Sequence, residues 1–197
     1  METIPFVVNP AGVLNLSDEE LFRLCAANPE LFIERTSHGE LIFMAPAGGT
    51  SSNRNSLLNR RLGNWNEETG LGVVFDSSGG FILPNGAMRA PDAAWIPKAK
   101  WEALSPEQRE QFPPLCPDFV IELRSRTDRL RDLQGKMAEY VASGCRLGWL
   151  IDPYERQAHI YRPQQDVEVA GFDGALSGED VLPGFTLDLA LVDTAAS

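Results

Sequence analysis

The sequence predicts one mixed α/β domain, a central β-sheet flanked by α-helices. Three observations carry this. The 197 residues are enough for one domain with a proper core. Hydrophobic residues make up 43%, as in a globular chain and unlike a disordered one. Helix-like and strand-like apolar patterns follow one another along the chain, with no internal repeat, linker or low-complexity tract. Residues 1–197 are therefore expected to fold as a single unit.

The elements follow in order. Ser17-Asp18-Glu19-Glu20 has capping-box spacing, and Leu21, Leu24 and Cys25 continue at helical intervals, so 18–27 reads as a helix. LFIERT and ELIFMAP are strand-like runs joined by Ser37-His38-Gly39, a hairpin signal that makes His38 a turn residue. Gly48 and Gly49 break the pattern. A second helix is expected over 52–68, with Leu57, Leu58, Leu62 and Trp65 on one face and Gly70 and Gly72 closing it. GVVFDSSGGFIL reads as two strands around a Ser-Gly-Gly turn, Asn85-Gly86 as a tight turn, and MRAPDAAWI as the next strand. Residues 98–113 are polar and helix-prone, a surface insertion. DFVIELRS is the most clearly buried strand. A helix capped by Thr127 or Asp128 runs to about Ser143, with Leu130, Leu133, Met137, Tyr140 and Val141 as its core stripe and Gly144 beyond its end. RLGWLID is a buried strand stopped by Pro153, AHIYRP pairs with it, and EDVLPGFTLDLALV adds one or two short strands.

Composition narrows the function. Cys25, Cys116 and Cys145 are odd in number and set in apolar runs, which suits free thiols in a reduced cytoplasm. There is no CxxC and only His38 and His159, so a structural zinc site is not expected. No apolar run is long enough to span a bilayer, and METIPFVVNPAG lacks the basic and apolar regions of a secretory leader. The net charge of −11 argues against a generic nucleic-acid-binding surface. Its few cations are mostly arginine and cluster in two places: Arg54, Arg60 and Arg61, and Arg124, Arg126, Arg129 and Arg131. Neither GxGxxG, a P-loop, GxSxG nor a Cys–His pattern is present.

The chemistry concentrates in two strands. In Asp118-Phe-Val-Ile-Glu122-Leu-Arg124, alternation puts Phe119, Ile121 and Leu123 on one face and Asp118, Val120, Glu122 and Arg124 on the other. Charge on the face of an apolar strand carries a desolvation cost. Metal binding, catalysis or a buried ion pair, here of Glu122 with Arg124 or Arg89, would each account for it. Pro91-Asp92 opens the run PDAAWI in the same way. Phosphodiester hydrolysis needs hard divalent cations held by oxygen ligands. Asp92, Glu122 and the Leu123 carbonyl form a minimal metal set for Mg²⁺, with Mn²⁺ as a substitute, and Arg124 projects to the same face as a phosphate-stabilising cation.

Pro91-Asp92 and Glu122-Leu123-Arg124 resemble the two halves of the PD-(D/E)XK nuclease signature, with Arg where lysine is usual. The ordered series HGELIFMAP, helix, RAPDAAWI, PDFVIELRSRTD, KMAEYVASGCRLGWLIDP and VLPGF resembles the Uma-type restriction endonuclease family, from about Leu16 to Leu189. The resemblance implies a restriction-endonuclease-like core, Mg²⁺ dependence and cleavage of DNA. It also implies two further residues. Arg cannot serve as a general base, and in this superfamily the lysine can migrate to a neighbouring element. Lys136 flanks the core stripe of the following helix, where it either reaches the site or lies along the surface. Glu40, after the hairpin turn, is a candidate auxiliary acid. Asp118 and Asp152-Pro153 read as strand-end and turn residues. Superfamily members often dimerise, and a two-fold dimer is the default oligomer. The rival expectation keeps the fold as an inactive module that binds nucleic acid or a protein partner. The arginine at position 124 and the acidic charge favour it.

Overall fold

A computed structural model describes residues 6–10 and 13–194 of the chain. Strand β1 (Phe6–Val8) precedes helix α1 (Asp18–Ala27), the hairpin β2 (Phe32–Arg35) and β3 (Leu41–Met44), and the long helix α2 (Gly49–Thr69). Then come β4 (Gly72–Asp76), β5 (Phe81–Ile82), β6 (Met88–Arg89) and β7 (Ala93–Pro97). Two short helices, α3 (Lys98–Glu102) and α4 (Pro106–Glu110), lead to β8 (Phe119–Leu123), α5 (Leu130–Ala142), β9 (Leu147–Asp152) and β10 (Gln157–Tyr161). The chain closes with β11 (Glu168–Gly171), β12 (Ala175–Ser177), β13 (Thr186–Asp188) and α6 (Ala190–Thr194).

The strands form a mixed six-stranded sheet in the order β11-β10-β9-β8-β7-β4, a five-stranded sheet β1-β3-β2-β6-β5, and the ribbon β12-β13. In the larger sheet β8 and β9 are parallel, joined by the crossover helix α5, and the other pairings are antiparallel. The sheet is covered on both faces. Leu58, Leu62 and Trp65 of α2 pack with Trp95, Phe119, Ile121 and Trp149 on one side. Met137 and Tyr140 of α5 pack with Ala94, Ile96, Val120 and Leu150 on the other. The odd–even alternation read in DFVIELRS is thus the division between these two cores.

Local signals explain most boundaries. The Ser17–Glu20 capping box closes around the start of α1, with Glu20 Oε2 accepting from the Ser17 amide at 2.8 Å. Helix α2 begins three residues earlier than its apolar pattern and ends at Gly70, which takes the left-handed conformation. Gly72 belongs to β4 instead of closing the helix: a Cβ there would lie 2.3 Å from the Ile96 carbonyl oxygen.

Three expectations are corrected. MRAPDAAWI is not one strand: Ala90, Pro91 and Asp92 break it, and its halves, β6 and β7, lie in different sheets. GVVF and FIL, likewise, are not partners across their turn but enter different sheets as β4 and β5. Helix α5 starts at Leu130 after Arg129, because Asp128 turns its carboxylate onto the Ser125 amide, 2.7 Å away, and so does not cap the helix. The break at Pro91 lets Asp92 stand at the mouth of the larger sheet.

Candidate active site

Strand register brings the two predicted carboxylates together. Ala93 pairs with Ile121 across β7 and β8, so one step further along the antiparallel ladder sets Asp92 opposite Glu122. Glu122 faces α5, whereas Asp92, just before β7, meets α2 and the β8 main chain. Asp92 Oδ2 accepts from the Leu123 amide at 2.8 Å, and Oδ1 from Asn55 Nδ2 at 3.3 Å. Asn59, one turn along α2, donates to the Asp92 carbonyl at 2.9 Å. Its own Oδ1 is buried without a donor.

Helix α5 crosses beneath and supplies a lysine. Lys136 Nζ lies 2.9 Å from Glu122 Oε1 and 2.8 Å from Glu34 Oε1. One helical turn on, the Tyr140 hydroxyl donates to Glu122 Oε1 at 3.0 Å. Close docking of α5 on β9 is possible because position 148 is glycine, where a Cβ would fall 2.4 Å from Met137 Cε. Glu34, on β2, also accepts from the Ala90 amide at 2.9 Å and pairs with Arg89 at 3.1 Å. Arg89 in turn meets Glu139 at 2.5 Å. The cluster therefore joins the two sheets and α5.

The charges do not balance. Glu34, Asp92, Glu122 and Glu139 face two cations, Lys136 and Arg89. Burial pushes Asp92 up to about 6, against the pull of the Leu123 amide and Lys136, and Glu34 and Asp128 add to the rise. Burial also pushes Glu122 up to about 7, with Asp92 repelling it and Lys136 only partly offsetting both. Glu34 behaves differently. Burial would raise it, but Lys136 and Arg89 together hold its carboxyl below the usual range. The Lys136 ammonium sits above its ordinary value because Glu122 and Glu34 outweigh its own desolvation. It is a held, protonated cation.

A family model described as Uma2, putative restriction endonuclease, matches residues 18–190. The chain belongs to this family. Among solved structures, it is similar to a protein from Anabaena variabilis ATCC 29413 described as a putative nuclease belonging to DUF820. The TM-score is 0.76 at 18% sequence identity, over 93% of this chain and 100% of that one, which is a likeness of fold. No curated protein matches.

Within that family fold, the sequence-selected residues separate into two groups. Asp92, Glu122, the Leu123 main chain and Lys136 meet at one point. Arg124 does not join them through any ion pair. Its Nη1 reaches Asp152 Oδ2 at 2.6 Å and its Nε the Asp128 carbonyl at 3.3 Å. Asp152 is thus the buried partner of an arginine as well as a turn residue, accepting from the Tyr154 amide at 2.9 Å. Glu40 stays at its hairpin, where its amide donates to Thr36 Oγ1 at 3.1 Å and its carboxylate accepts from that hydroxyl at 3.3 Å. The third acid beside Lys136 is Glu34 instead. Asp118 pairs with Lys100 at 2.8 Å.

Glu34, Tyr140, Asn55 and Asn59 were missed from sequence. Glu34 carried a usable signal: it is a charged residue inside the strand FIER, flanked by buried Ile33, which is the pattern that singled out Glu122. Asn55 and Asn59 stand four apart on one helix face. Tyr140 looked like core, and only the position of Glu122 gives its hydroxyl a role. Among the described residues, no group of three or more His, Cys, Asp and Glu side chains is arranged to hold a metal ion. No helix among them is long and apolar enough to cross a membrane.

Proposed function

We propose that the chain is a divalent-metal-dependent endonuclease that hydrolyses phosphodiester bonds of DNA at the Asp92–Glu122–Lys136 cluster. The surplus of buried carboxylate at the junction of β7 and β8 carries this reading. Two acids raised by burial and by neighbouring carboxylates are a receptor for a cation. The donor set suits Mg²⁺ or Mn²⁺, which prefer oxygen ligands and keep waters. Asp92 and Glu122 would hold the ion, with the Leu123 carbonyl beside them. The orphaned Asn59 Oδ1 is an acceptor for a water bound there, and an unmet buried acceptor otherwise costs about 1–3 kcal/mol.

Such an ion, when bound, polarises the phosphate and acidifies a coordinated water. The chain's own residues do the rest. Asn55 and the Leu123 amide fix the Asp92 carboxylate. Tyr140 fixes Glu122 Oε1 and leaves Oε2 outside that bond. Lys136 keeps its proton, so it serves as a donor to developing phosphate charge and not as a base. Glu122, raised to about 7 without the ion, would give up its proton on holding it.

A second reading is a nuclease-fold module without activity. One observation favours it: Lys136 already spans Glu34 and Glu122 and closes the cluster on itself. Nicking of supercoiled plasmid in Mn²⁺ by wild type and Glu122→Ala separates the two. The nuclease reading expects nicking by wild type alone. Equal nicking by both proteins, or no Mn²⁺ binding by calorimetry, would sink it.

A further inference from the structure

We propose that Arg126, Arg129 and Tyr154 form a clamp for the phosphate backbone of a polynucleotide strand at the mouth of the acidic site. This inference rests on the nuclease reading of that site and adds the surface that delivers its substrate.

The first support is where cationic charge is left over. Of 17 Lys and Arg residues, ten meet a carboxylate in an ion pair among the described residues. Arg54 and Arg109 are turned onto main-chain carbonyls of Val192 and Glu102. Arg60, Arg61, Arg126, Arg129 and Arg131 have no ion-pair partner among the described residues. Arg60 and Arg61 lie more than about 90° around α2 from the Asn55–Asn59 face that touches Asp92. The other three follow Glu122 directly in the chain. In a chain of net charge −11, unmatched guanidinium is therefore gathered beside the carboxylate cluster.

The second support is a built aromatic seat. Tyr154 is 39% exposed, and its main chain is held in place. Its amide donates to Asp152 Oδ1, and the fully buried Asp152 binds Arg124 through Oδ2. The guanidinium carbons of Arg124 and Arg126 each stand 5.9 Å from the Tyr154 ring centroid. Arg124 is neutralised by Asp152, whereas Arg126 is exposed and keeps its donors. Asp128, the nearest acid in sequence, is turned onto the Ser125 amide. An aromatic on a held main chain, with free arginine beside it, matches a nucleotide, phosphate on the guanidinium and base or sugar on the ring.

The third support is placement. Strands β8 and β9 are parallel, so Glu122 and Tyr154 leave the sheet at the same carboxyl edge, where ligands of such sheets bind. Arg124 is two residues beyond Glu122, a rise of about 6.6 Å. Asp128, beside Arg129, is close enough to Asp92 to raise it.

Fluorescence anisotropy tests the clamp, with labelled single-stranded DNA, duplex DNA and single-stranded RNA in Ca²⁺. The polynucleotide bound most tightly by wild type names the substrate strand. Arg126→Ala should lower the slope of log affinity against log salt by about 0.7–0.9, and Arg126→Ala/Arg129→Ala by about twice that. Tyr154→Ala should weaken binding about tenfold. Arg60→Ala/Arg61→Ala should bind as wild type, and circular dichroism melts confirm that each variant folds. Wild-type affinity and slope in Arg126→Ala/Arg129→Ala, an equal loss in the α2 pair, or no wild-type binding to any strand would overturn the clamp. Plasmid nicking is scored separately. Glu122→Ala that binds but does not nick supports both ideas. Salt slopes that fall as expected in the arginine variants, beside a wild type that binds but never nicks, leave the clamp standing and remove the hydrolysis.

Discussion

Replacing Lys136 with methionine tests the centre of the structure. The lysine contacts Glu122 at 2.9 Å and Glu34 at 2.8 Å, and both carboxylates are nearly inaccessible. Methionine keeps the apolar stem and removes only the charge. Breaking a buried pair this way costs about 3–5 kcal/mol, because the stranded anion is neither solvated nor paired. For a chain of this size each kcal/mol lowers the melting temperature by about 2–4 °C, so a fall of about 6–20 °C follows at pH 8. At pH 5 the gap should narrow. Glu122, already at about 7 in wild type, rises further without the ammonium and is neutral there. Differential scanning calorimetry at the two pH values reads both effects. A fall under 2 °C at pH 8, or a gap that widens at pH 5, would refute the buried ion-pair account of Lys136.

Asp92→Asn should melt higher than wild type at pH 8 in EDTA, since it removes a charge that burial disfavours, and lower than wild type in Mn²⁺. The metal-free wild type should itself lose stability from about pH 5 to pH 8. Asp92 and Glu122 have folded values of about 6 and about 7, above their unfolded ones, so the folded state binds more protons in that window and stability falls as they leave. Mn²⁺ affinity by calorimetry should rise over the same range. Arg124→Ala strands the fully buried Asp152 and should cost about 3–5 kcal/mol in urea melts, with Mn²⁺ affinity unchanged; loss of metal affinity in the folded variant would return Arg124 to the site. Glu40→Ala should change stability by no more than about 0.5 kcal/mol and leave nicking at the wild-type rate.

Much of this molecule is readable from local pattern, and the exceptions have physical reasons. The face of Glu122 follows from two-residue strand periodicity, a local rule, and the register of β7 on β8 then brings Asp92 opposite it. The Ser17 capping box and the Gly70 helix stop are equally local. Partners from distant segments are another matter. Lys136 lies at the margin of its helix stripe, so periodicity alone leaves it between core and solvent. Its burial depends on Glu34, which arrives from β2 in the other sheet. Glu34 is not singled out by the family resemblance, and Glu40, which opens a strand after a turn, is a candidate through that resemblance alone. Its nearest partner, though, is Thr36 in the same hairpin, and a local hydrogen bond holds it there. The split of MRAPDAAWI was hidden for a related reason: a proline inside an apolar run is compatible with an edge strand, and only tertiary pairing sends the two halves to different sheets.

Arg124 has a structural role. A cation two residues past Glu122 on a strand would share its face, but β8 ends at Leu123, and Arg124 bends toward the end of β9 to satisfy Asp152. A planar, permanently charged guanidinium suits that buried carboxylate better than an ammonium would. The ammonium beside Glu122 comes from α5, and this makes its position a property of helix docking. Gly148 lets the helix sit close, Tyr140 fixes Glu122 from the same helix face, and Glu34 draws Lys136 from the opposite side. Displacing α5 would therefore move Lys136 and Tyr140 together while leaving Asp92 on the Leu123 amide and Asn55. On the proposed reading, Asp92 would hold its share of the metal independently of α5, while Lys136 would lose its place beside the phosphate. Substitutions that loosen α5 should reduce turnover before they reduce metal affinity.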